Sequence, residues 1–287
     1  MAGFSGTNLT GDPVPAISEA EATGDIAALY TNIRSTLGVP VVNLIWRHLA
    51  VFPGGLDWAW TALKPLYANG AIVAQAFALR AGLDVPALPG LSGPALAAAG
   101  LTAGDLARIH MIQSSYERSN AMNMIALGAL LARLDGISEP PGSATETASE
   151  EEPVAGEMPL LLTLDAMDAD VRALVQDLNR IGGRDEILAS MYRHLAHWPP
   201  YLALVHVLIA PIAADGRLEP IITGVITEGR QRAARVANGL AQPTTALPDT
   251  AQSDIRAALS QFINEPIGKM IAIVPLIQRA LPSPSKS

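Results

Sequence analysis

The two halves of this chain repeat one another at a nearly constant offset. The sequence RHLA at 47–50 recurs at 193–196, 146 residues later, and the same offset aligns 63–70 with 209–216. Residues 125–133 and 271–279 continue the match. Two copies are too few for a stacked solenoid, which needs about three repeats. We therefore predict two homologous halves packed about a pseudo-two-fold axis, as an intramolecular pseudo-dimer.

The boundary between the halves is visible in the composition of residues 138–158. This stretch is rich in Pro, Gly, Ser and Thr, has no hydrophobic period, and contains six glutamates without a basic residue. Such a composition is typical of an exposed, mobile linker. The predicted domains are a first helical repeat over 1–137, this acidic linker, and a second helical repeat over 159–287.

The apolar spacing indicates an all-α protein. With 49% hydrophobic and 16% charged residues the chain can bury a large core, and no segment has a convincing strand period. Thr102 and Asp105 have the spacing of a capping box. The predicted helices of the first half, which the second half repeats from about 168 to 281, are 25–37, 41–51, 55–82, 105–117 and 119–134.

Several classes of function are excluded by composition. The chain has no cysteine, which excludes thiol nucleophiles, disulfides and cysteine-ligated metals. Its net charge of −8 argues against nucleic acid as a partner. The strongest apolar run, 201–214, is shorter than the roughly 18 residues that a membrane span needs. The first 15 residues lack the pattern of an export signal, so we expect a cytoplasmic location.

A metal site is the weaker interpretation of the histidines. His194 and His197 lie three residues apart, close to the spacing of a ligand pair on one helix face. His194 repeats His48 of the first half, however, which favours a packing role, and no Glu-x-x-His motif accompanies the pair. We therefore expect no metal.

A duplication provides an internal control, because a site needed only once should lie where the copies differ. Residues 188–192 (LASMY) correspond to 42–46 (VNLIW), and Asn120 corresponds to Pro266. An asparagine amide can orient a water or a substrate oxygen. The alternative is that Asn120 caps the start of the predicted helix 119–134.

The stretches 25–40 and 49–60, with Leu-Ala-His-Trp-Pro at 195–199, are similar to group I 2-haloacid dehalogenases, and the similarity covers nearly the whole chain. The resemblance implies an all-α pseudo-dimer, related in fold to alkylhydroperoxidase-like proteins, with one site between the halves. It implies direct attack of a water on the α-carbon of a 2-haloalkanoic acid, without metal or cofactor. In that family an aspartate acts as general base and an asparagine holds the water.

Carried over by position, the family's asparagine corresponds to Asn120 and its aspartate to Met191, through the match at Ala189 and Ser190. Neighbouring pocket positions, aromatic in the family, correspond to Val41 and Leu44. A thioether cannot accept a proton, so the general base is missing at its family position. The candidate replacements are Asp185, Glu186, His194 and Glu265.

Three functions stay open. The first is a hydrolytic dehalogenase with a relocated base, and the second is a non-dehalogenase that binds a small apolar or carboxylate ligand between the halves. The third is a peroxidase or decarboxylase activity of the wider fold group; the absence of cysteine excludes a thiol peroxidase, and fold alone gives no support for a decarboxylase. An anionic ligand needs a counter-group. Arg118 and free N–H groups at the predicted helix start near Asn120 are the candidates. A homodimeric assembly is also left open.

Overall fold

The computed structural model describes residues 12–137, 151–243 and 246–282, and within these ranges the chain is helical with no strand. Its elements are α1 (Gly24–Leu37), α2 (Leu44–Leu49), α3 (Gly55–Ala68), α4 (Ala71–Ala81), α5 (Gly93–Ala98), α6 (Ala103–Leu134), α7 (Ala169–Arg180), α8 (Ser190–Leu195), α9 (Pro199–Ala214), α10 (Leu218–Val236), α11 (Asp249–Phe262) and α12 (Gly268–Arg279). Short 3₁₀ turns span Leu164–Ala166 and Ala237–Gly239, and a π-helical turn, Ile263–Ile267, joins α11 to α12.

Two predicted helix boundaries are wrong. The predicted helix 55–82 is divided into α3 and α4, because Gly70 adopts φ 75° and Asn69 Oδ1 accepts a hydrogen bond from the Ala71 amide at 3.0 Å. The predicted helices 105–117 and 119–134 are instead one helix, α6, of 32 residues. Its N-terminus carries the predicted capping box of Thr102 and Asp105. Helix α5 was not predicted.

Helix α6 is the centre of the fold. It packs against α4, α10 and α12, and from 119 to 132 every side chain on it is buried. A helix that is buried on all sides must be apolar all round unless its polar groups serve another purpose. Ser119, Asn120 and Asn123 are the polar residues in this stretch.

Equivalent contacts join the two predicted halves. His48 on α2 stacks on Phe262, with ring centroids 5.8 Å apart. The corresponding pair at the repeat offset, His194 on α8 and Tyr116 on α6, also lies 5.8 Å apart. This reciprocity is what a pseudo-two-fold arrangement requires, and the symmetry itself stays a prediction from the sequence.

A buried ion cluster links the halves. Asp12 contacts both Arg47 and Arg193, and the side chains of all three residues are at most 6% exposed. These are the two arginines that the repeat places at equivalent positions. One carboxylate between two guanidinium groups compensates part of their desolvation.

The described end of the predicted linker differs from a free tether. Glu151 pairs with Arg80 at 2.6 Å and with Arg118 at 3.2 Å, and the Val154 amide donates to the Gly38 carbonyl. Residues 151–158 therefore lie against the first half. Residues 138–150, the rest of the predicted linker, lie outside the described residues.

Helices α6 and α10 approach closely at Gly128. A Cβ atom there would lie 2.6 Å from the Cβ of Ala233 on α10, which cannot move without its helix. We expect Gly128→Ala to lower the free energy of unfolding by about 1–3 kcal/mol through overpacking. Urea unfolding measures this, with Gly104→Ala on the same helix as control, because the nearest atom there is 3.7 Å away. Equal stability of the two variants would contradict the packing.

Lys269, on α12, is fully buried. Its ammonium donates to the carbonyls of Asn179, Gly183 and Arg184 at 2.6–3.1 Å. Burial lowers its pKa from the ordinary value of 10.5 to about 8. Between these two values the unfolded chain binds the proton more strongly than the folded chain, so stability from this group rises with pH.

The measurement is the free energy of unfolding between pH 7.5 and 10.5, compared with Lys269→Gln. As the pH rises, we expect the free energy of unfolding of the unmodified chain to increase relative to that of Lys269→Gln. A difference that is constant across this range would show that the lysine does not titrate there.

Candidate functional site

A small cavity lies between residues of the two predicted halves. Its volume is about 40 Å³, enough for roughly three water molecules. Helices α2 and α6 of the first half form one side, and 187–191, the π-helical turn and α12 form the other. Its polar lining consists of Asn43, Tyr116, Asn120, Asn123 and Ser190, and its apolar lining includes Leu44, Ile45, Leu188, Ala189, Met191, Phe262 and Met270.

Most of the predicted site residues meet at this cavity. Leu44, Asn120, Ala189, Ser190 and Met191 all line it. They come from three separate segments of the chain, because 76 residues separate Leu44 from Asn120 and about 70 separate Asn120 from 189–191. The prediction rested on the repeat and on the family resemblance, and the structure brings these five residues together.

Two predicted residues lie elsewhere. Val41 lines a larger neighbouring hollow. Arg118 is not in the cavity lining, since its guanidinium donates to the Leu37 carbonyl at 2.7 Å and pairs with Glu151. The structure therefore does not bring Arg118 to the position of a counter-group for a ligand in the cavity.

Asn120 is not a helix cap. Because α6 runs without a break from Ala103 to Leu134, the residue lies in the helix interior, and no free N–H groups exist at a helix start beside it. The side chain is 6% exposed, and its Nδ2 has no hydrogen-bond partner among the described residues. The capping interpretation is wrong, and an unpaired amide donor faces the cavity region.

Sequence reasoning missed three polar residues of the lining, namely Asn43, Tyr116 and Asn123. The asparagines carried a signal that was available, since the repeat offset pairs Asn43 with Ala189 and Asn123 with Lys269. Like Asn120, each of these asparagines has a different residue type at the equivalent position of the other copy. Nothing in the sequence distinguishes Tyr116, because its counterpart, Phe262, is also aromatic.

None of the described residues that line the cavity is charged. Its polar groups are amides and hydroxyls, and burial raises the pKa of the Tyr116 hydroxyl well above its ordinary value. The lining is therefore neutral at physiological pH. Among the residues described, no group of three or more His, Cys, Asp or Glu side chains could hold a metal ion.

His194 is a poor candidate for the missing base. Its Nδ1 lies 2.9 Å from the Tyr116 hydroxyl, and it lines the neighbouring hollow rather than the cavity. Burial, reinforced by Arg193 and Arg47, lowers its pKa to about 3. The imidazole is neutral at pH 7, but so weak a base has little tendency to take a proton from water.

The acidic candidates also lie outside the cavity. Asp185 and Glu186 are exposed, and they line a separate surface depression. Glu265 is partly buried and accepts a hydrogen bond from the Ile187 amide at 3.3 Å. Burial, with the nearby Glu186, raises its pKa. None of the three is in the lining, although Glu265 directly precedes the cavity residue Pro266.

The neighbouring hollow is larger, at about 660 Å³, and contains the buried ion cluster. Asp12, Arg47 and Arg193 line it, together with Val41 and His194. Tyr116 and Ser190 line both the hollow and the small cavity. Tyr116 and Ser190 therefore lie between the two spaces.

Comparison with known proteins shows which solved structures share this fold. No family model matches the chain. Two solved structures of D-2-haloacid dehalogenase, one in complex with L-LA and one a mutant with D-2-CPA, superpose with a TM-score of 0.72. Each covers 93% of this chain and 96% of its own, at 16% and 15% identity. The fold is therefore that of an all-helical haloacid dehalogenase.

The sequence comparison goes further. A configuration-inverting 2-haloacid dehalogenase of Alcaligenes xylosoxydans xylosoxydans is 30% identical over 233 residues, which are 76% of this chain and 75% of that protein. Another from Pseudomonas sp. (strain 113) is 28% identical over 202 residues, 66% of this chain and 64% of that protein. The chain belongs to the family of configuration-inverting 2-haloacid dehalogenases.

No single helix among those described is long and apolar enough to cross a membrane. Helices α9 and α10 pass that test only as a pair, bent by 88° at the break between them.

Proposed function

We propose that the cavity binds a small 2-substituted carboxylic acid of the 2-haloacid class, and that the unmodified chain hydrolyses it little or not at all. The observation that carries this proposal is the composition of the lining. By the family resemblance, Asn120 corresponds to the family's asparagine and Met191 to its aspartate. The Asn120 amide has an unpaired Nδ2, and no carboxylate of the described residues lines the cavity.

The size and polarity of the cavity support a ligand of a few heavy atoms. Its apolar wall of Leu44, Ile45 and Met191 suits the alkyl part and the 2-substituent of such an acid, and its amides suit the carboxylate.

Displacement of a halide by water needs a base that takes the water proton as the new C–O bond forms. With a thioether at position 191 that proton has no acceptor in the lining. Losing a general base typically lowers the rate by about 10²- to 10⁴-fold. The alternative is a working dehalogenase whose base lies elsewhere, and family membership favours it. Measuring both binding and turnover distinguishes this alternative from a protein that only binds the acid.

The test is thermal denaturation and titration calorimetry with each enantiomer of 2-chloropropionate, alongside an assay for free chloride. We expect a ligand-dependent rise in the melting temperature, as mass action requires, with no chloride release. Replacing Asn120 with Ala should weaken binding about 10-fold, for the loss of one hydrogen bond to a charged group.

Arg118→Ala is the comparison variant, and because Arg118 lies outside the cavity we expect its affinity to be unchanged. A weaker affinity would restore Arg118 to the site, as the sequence predicts. If neither enantiomer shifts the melting temperature, the proposed ligand class is wrong. Chloride release by the unmodified chain would establish the hydrolytic alternative and direct attention to Glu265.

A further inference from the structure

Asn123 is a second amide residue of α6 that lines the cavity, in addition to Asn120. Asn123 is fully buried and lines the cavity, and its Nδ2 has no partner among the residues described. It lies three residues after Asn120, so the two side chains project from the same side of the helix one turn apart. Two unpaired amide donors therefore line one small space.

The orientation of the Asn123 amide is determined by its neighbour. The indole Nε1 of Trp46 donates to Asn123 Oδ1 at 3.0 Å. An indole N–H can only donate, so the oxygen of Asn123 must face Trp46 and the NH₂ group must point elsewhere. Trp46 itself is fully buried in the core, which prevents the pair from reorienting freely.

The duplication shows that this donor is specific to one copy. The residue equivalent to Asn123 is Lys269, whose ammonium is fully used by three backbone carbonyls of its own half. The residue equivalent to Trp46 is Tyr192, which cannot reproduce the indole hydrogen bond. A purely structural amide would need a partner in the protein, and the Nδ2 of Asn123 has none among the described residues.

Buried polar groups in folded proteins are almost always hydrogen-bonded, so an unpaired donor beside a cavity indicates a missing partner. The Ser190 hydroxyl, which lies beside that of Tyr116, is another polar group in the same lining. The missing partner must accept hydrogen bonds, because Nδ2 only donates. A carboxylate that accepts two or three N–H or O–H bonds is stable as an anion without a cation beside it.

We propose that Asn123 is a ligand-binding residue whose Nδ2 donates to the carboxylate of the bound acid, and that Trp46 is its positioning residue. This inference rests on the proposed function and adds the anchor of the acid group. It assigns to an amide the counter-group role that the sequence suggested for Arg118. The carboxylate then accepts from Asn123 as well as from Asn120, with the 2-substituent toward the apolar wall.

The test compares two probes of nearly the same shape, 2-chloropropionate and its neutral amide, 2-chloropropionamide. In Asn123→Asp the oxygen facing Trp46 is kept, while the donor is replaced by a negatively charged oxygen. We expect the Kd of the carboxylate to rise at least 10- to 100-fold at pH 7, the range for a lost charge-assisted hydrogen bond. The amide probe should change much less, because its own NH₂ can donate to the new carboxylate.

Trp46→Phe tests the positioning role. It keeps an aromatic ring but removes the N–H, so Asn123 can turn its amide. We expect the ratio of the carboxylate Kd to the amide Kd to rise, as in Asn123→Asp, but by less. The matched control is Asn32→Asp. Asn32 Oδ1 accepts from the indole of Trp60 at 2.7 Å in the same way, but the residue is exposed and does not line the cavity. Both Kd values should stay unchanged in this control.

Melting temperatures of all variants establish that they are folded. If Asn123→Asp prevents folding, Asn123→Leu is used in its place, because its side chain branches at the same atom and has no donor. The carboxylate should again lose affinity relative to the amide. If the unmodified chain binds 2-chloropropionate but the Kd ratio is the same in every variant, the role of Asn123 is overturned and the proposed function stands. If the unmodified chain does not bind it, both fail together.

Discussion

The Met191→Asp variant is expected to release chloride from 2-chloropropionate at a rate about 10²- to 10⁴-fold above that of the unmodified chain. The substitution places a carboxylate in the lining of the cavity, at the position where the family resemblance puts the general base. Met191 is 1% exposed, so burial should raise the pKa of the new carboxyl group. The rate should therefore increase with pH as that group loses its proton.

Two variants control for the change. Met191→Asn introduces polarity of the same size without a base and should stay inactive. Ile45→Asp places a carboxylate in the same cavity from the position that the repeat offset pairs with Met191, and it should stay inactive as well. If Met191→Asn gains as much activity as Met191→Asp, the effect is one of polarity or space and the base is not the missing component.

The Asp12→Asn variant is expected to lose about 3–5 kcal/mol of the free energy of unfolding. Removing the carboxylate leaves the guanidinium groups of Arg47 and Arg193 buried without their shared counter-charge, which is the case in which breaking a buried ion pair is most destabilising. Because the cluster joins α2 of the first half to α8 of the second, both halves should lose stability together.

Urea unfolding followed by circular dichroism measures this loss. Asp254→Asn is the control, since it makes the same chemical change at an exposed position on α11. We expect the control to lie within about 0.5 kcal/mol of the unmodified chain. If Asp12→Asn is equally mild, the two arginines find other partners and the cluster does not hold the halves together.

The helices that the sequence predicted well are those whose ends carry local signals. Helix α1 ends where Gly38 takes a left-handed conformation, with φ 62°, and α6 begins at the capping box of Thr102. These signals act within four residues, so they can be recognised without a fold. By contrast, no local signal shows that α6 continues through 118 and 119, because the burial that favours one long helix comes from α4, α10 and α12.

The continuity of α6 explains why Asn120 lines the cavity and Arg118 does not. On a continuous helix each residue turns by about 100°, so residues two apart point to opposite sides and residues three apart share a side. Asn120 and Asn123 therefore face the cavity together, while Arg118 points to Glu151 and the Leu37 carbonyl. With a helix start assumed at 119, the relative directions of 118 and 120 could not be deduced.

By itself the sequence determined the helical class and the family resemblance, and it predicted the duplication and the positions where the copies differ. These are properties of local composition and of alignment. Only the tertiary structure decided which of those divergent side chains meet. Asn43, Asn123 and Ser190 come from α6 and from the starts of two short helices, and they converge because α2 and α8 pack against the long helices of the protein. Whether their polar atoms have hydrogen-bond partners depends on every neighbour in that packing, so it cannot be deduced from the spacing of residues along the chain.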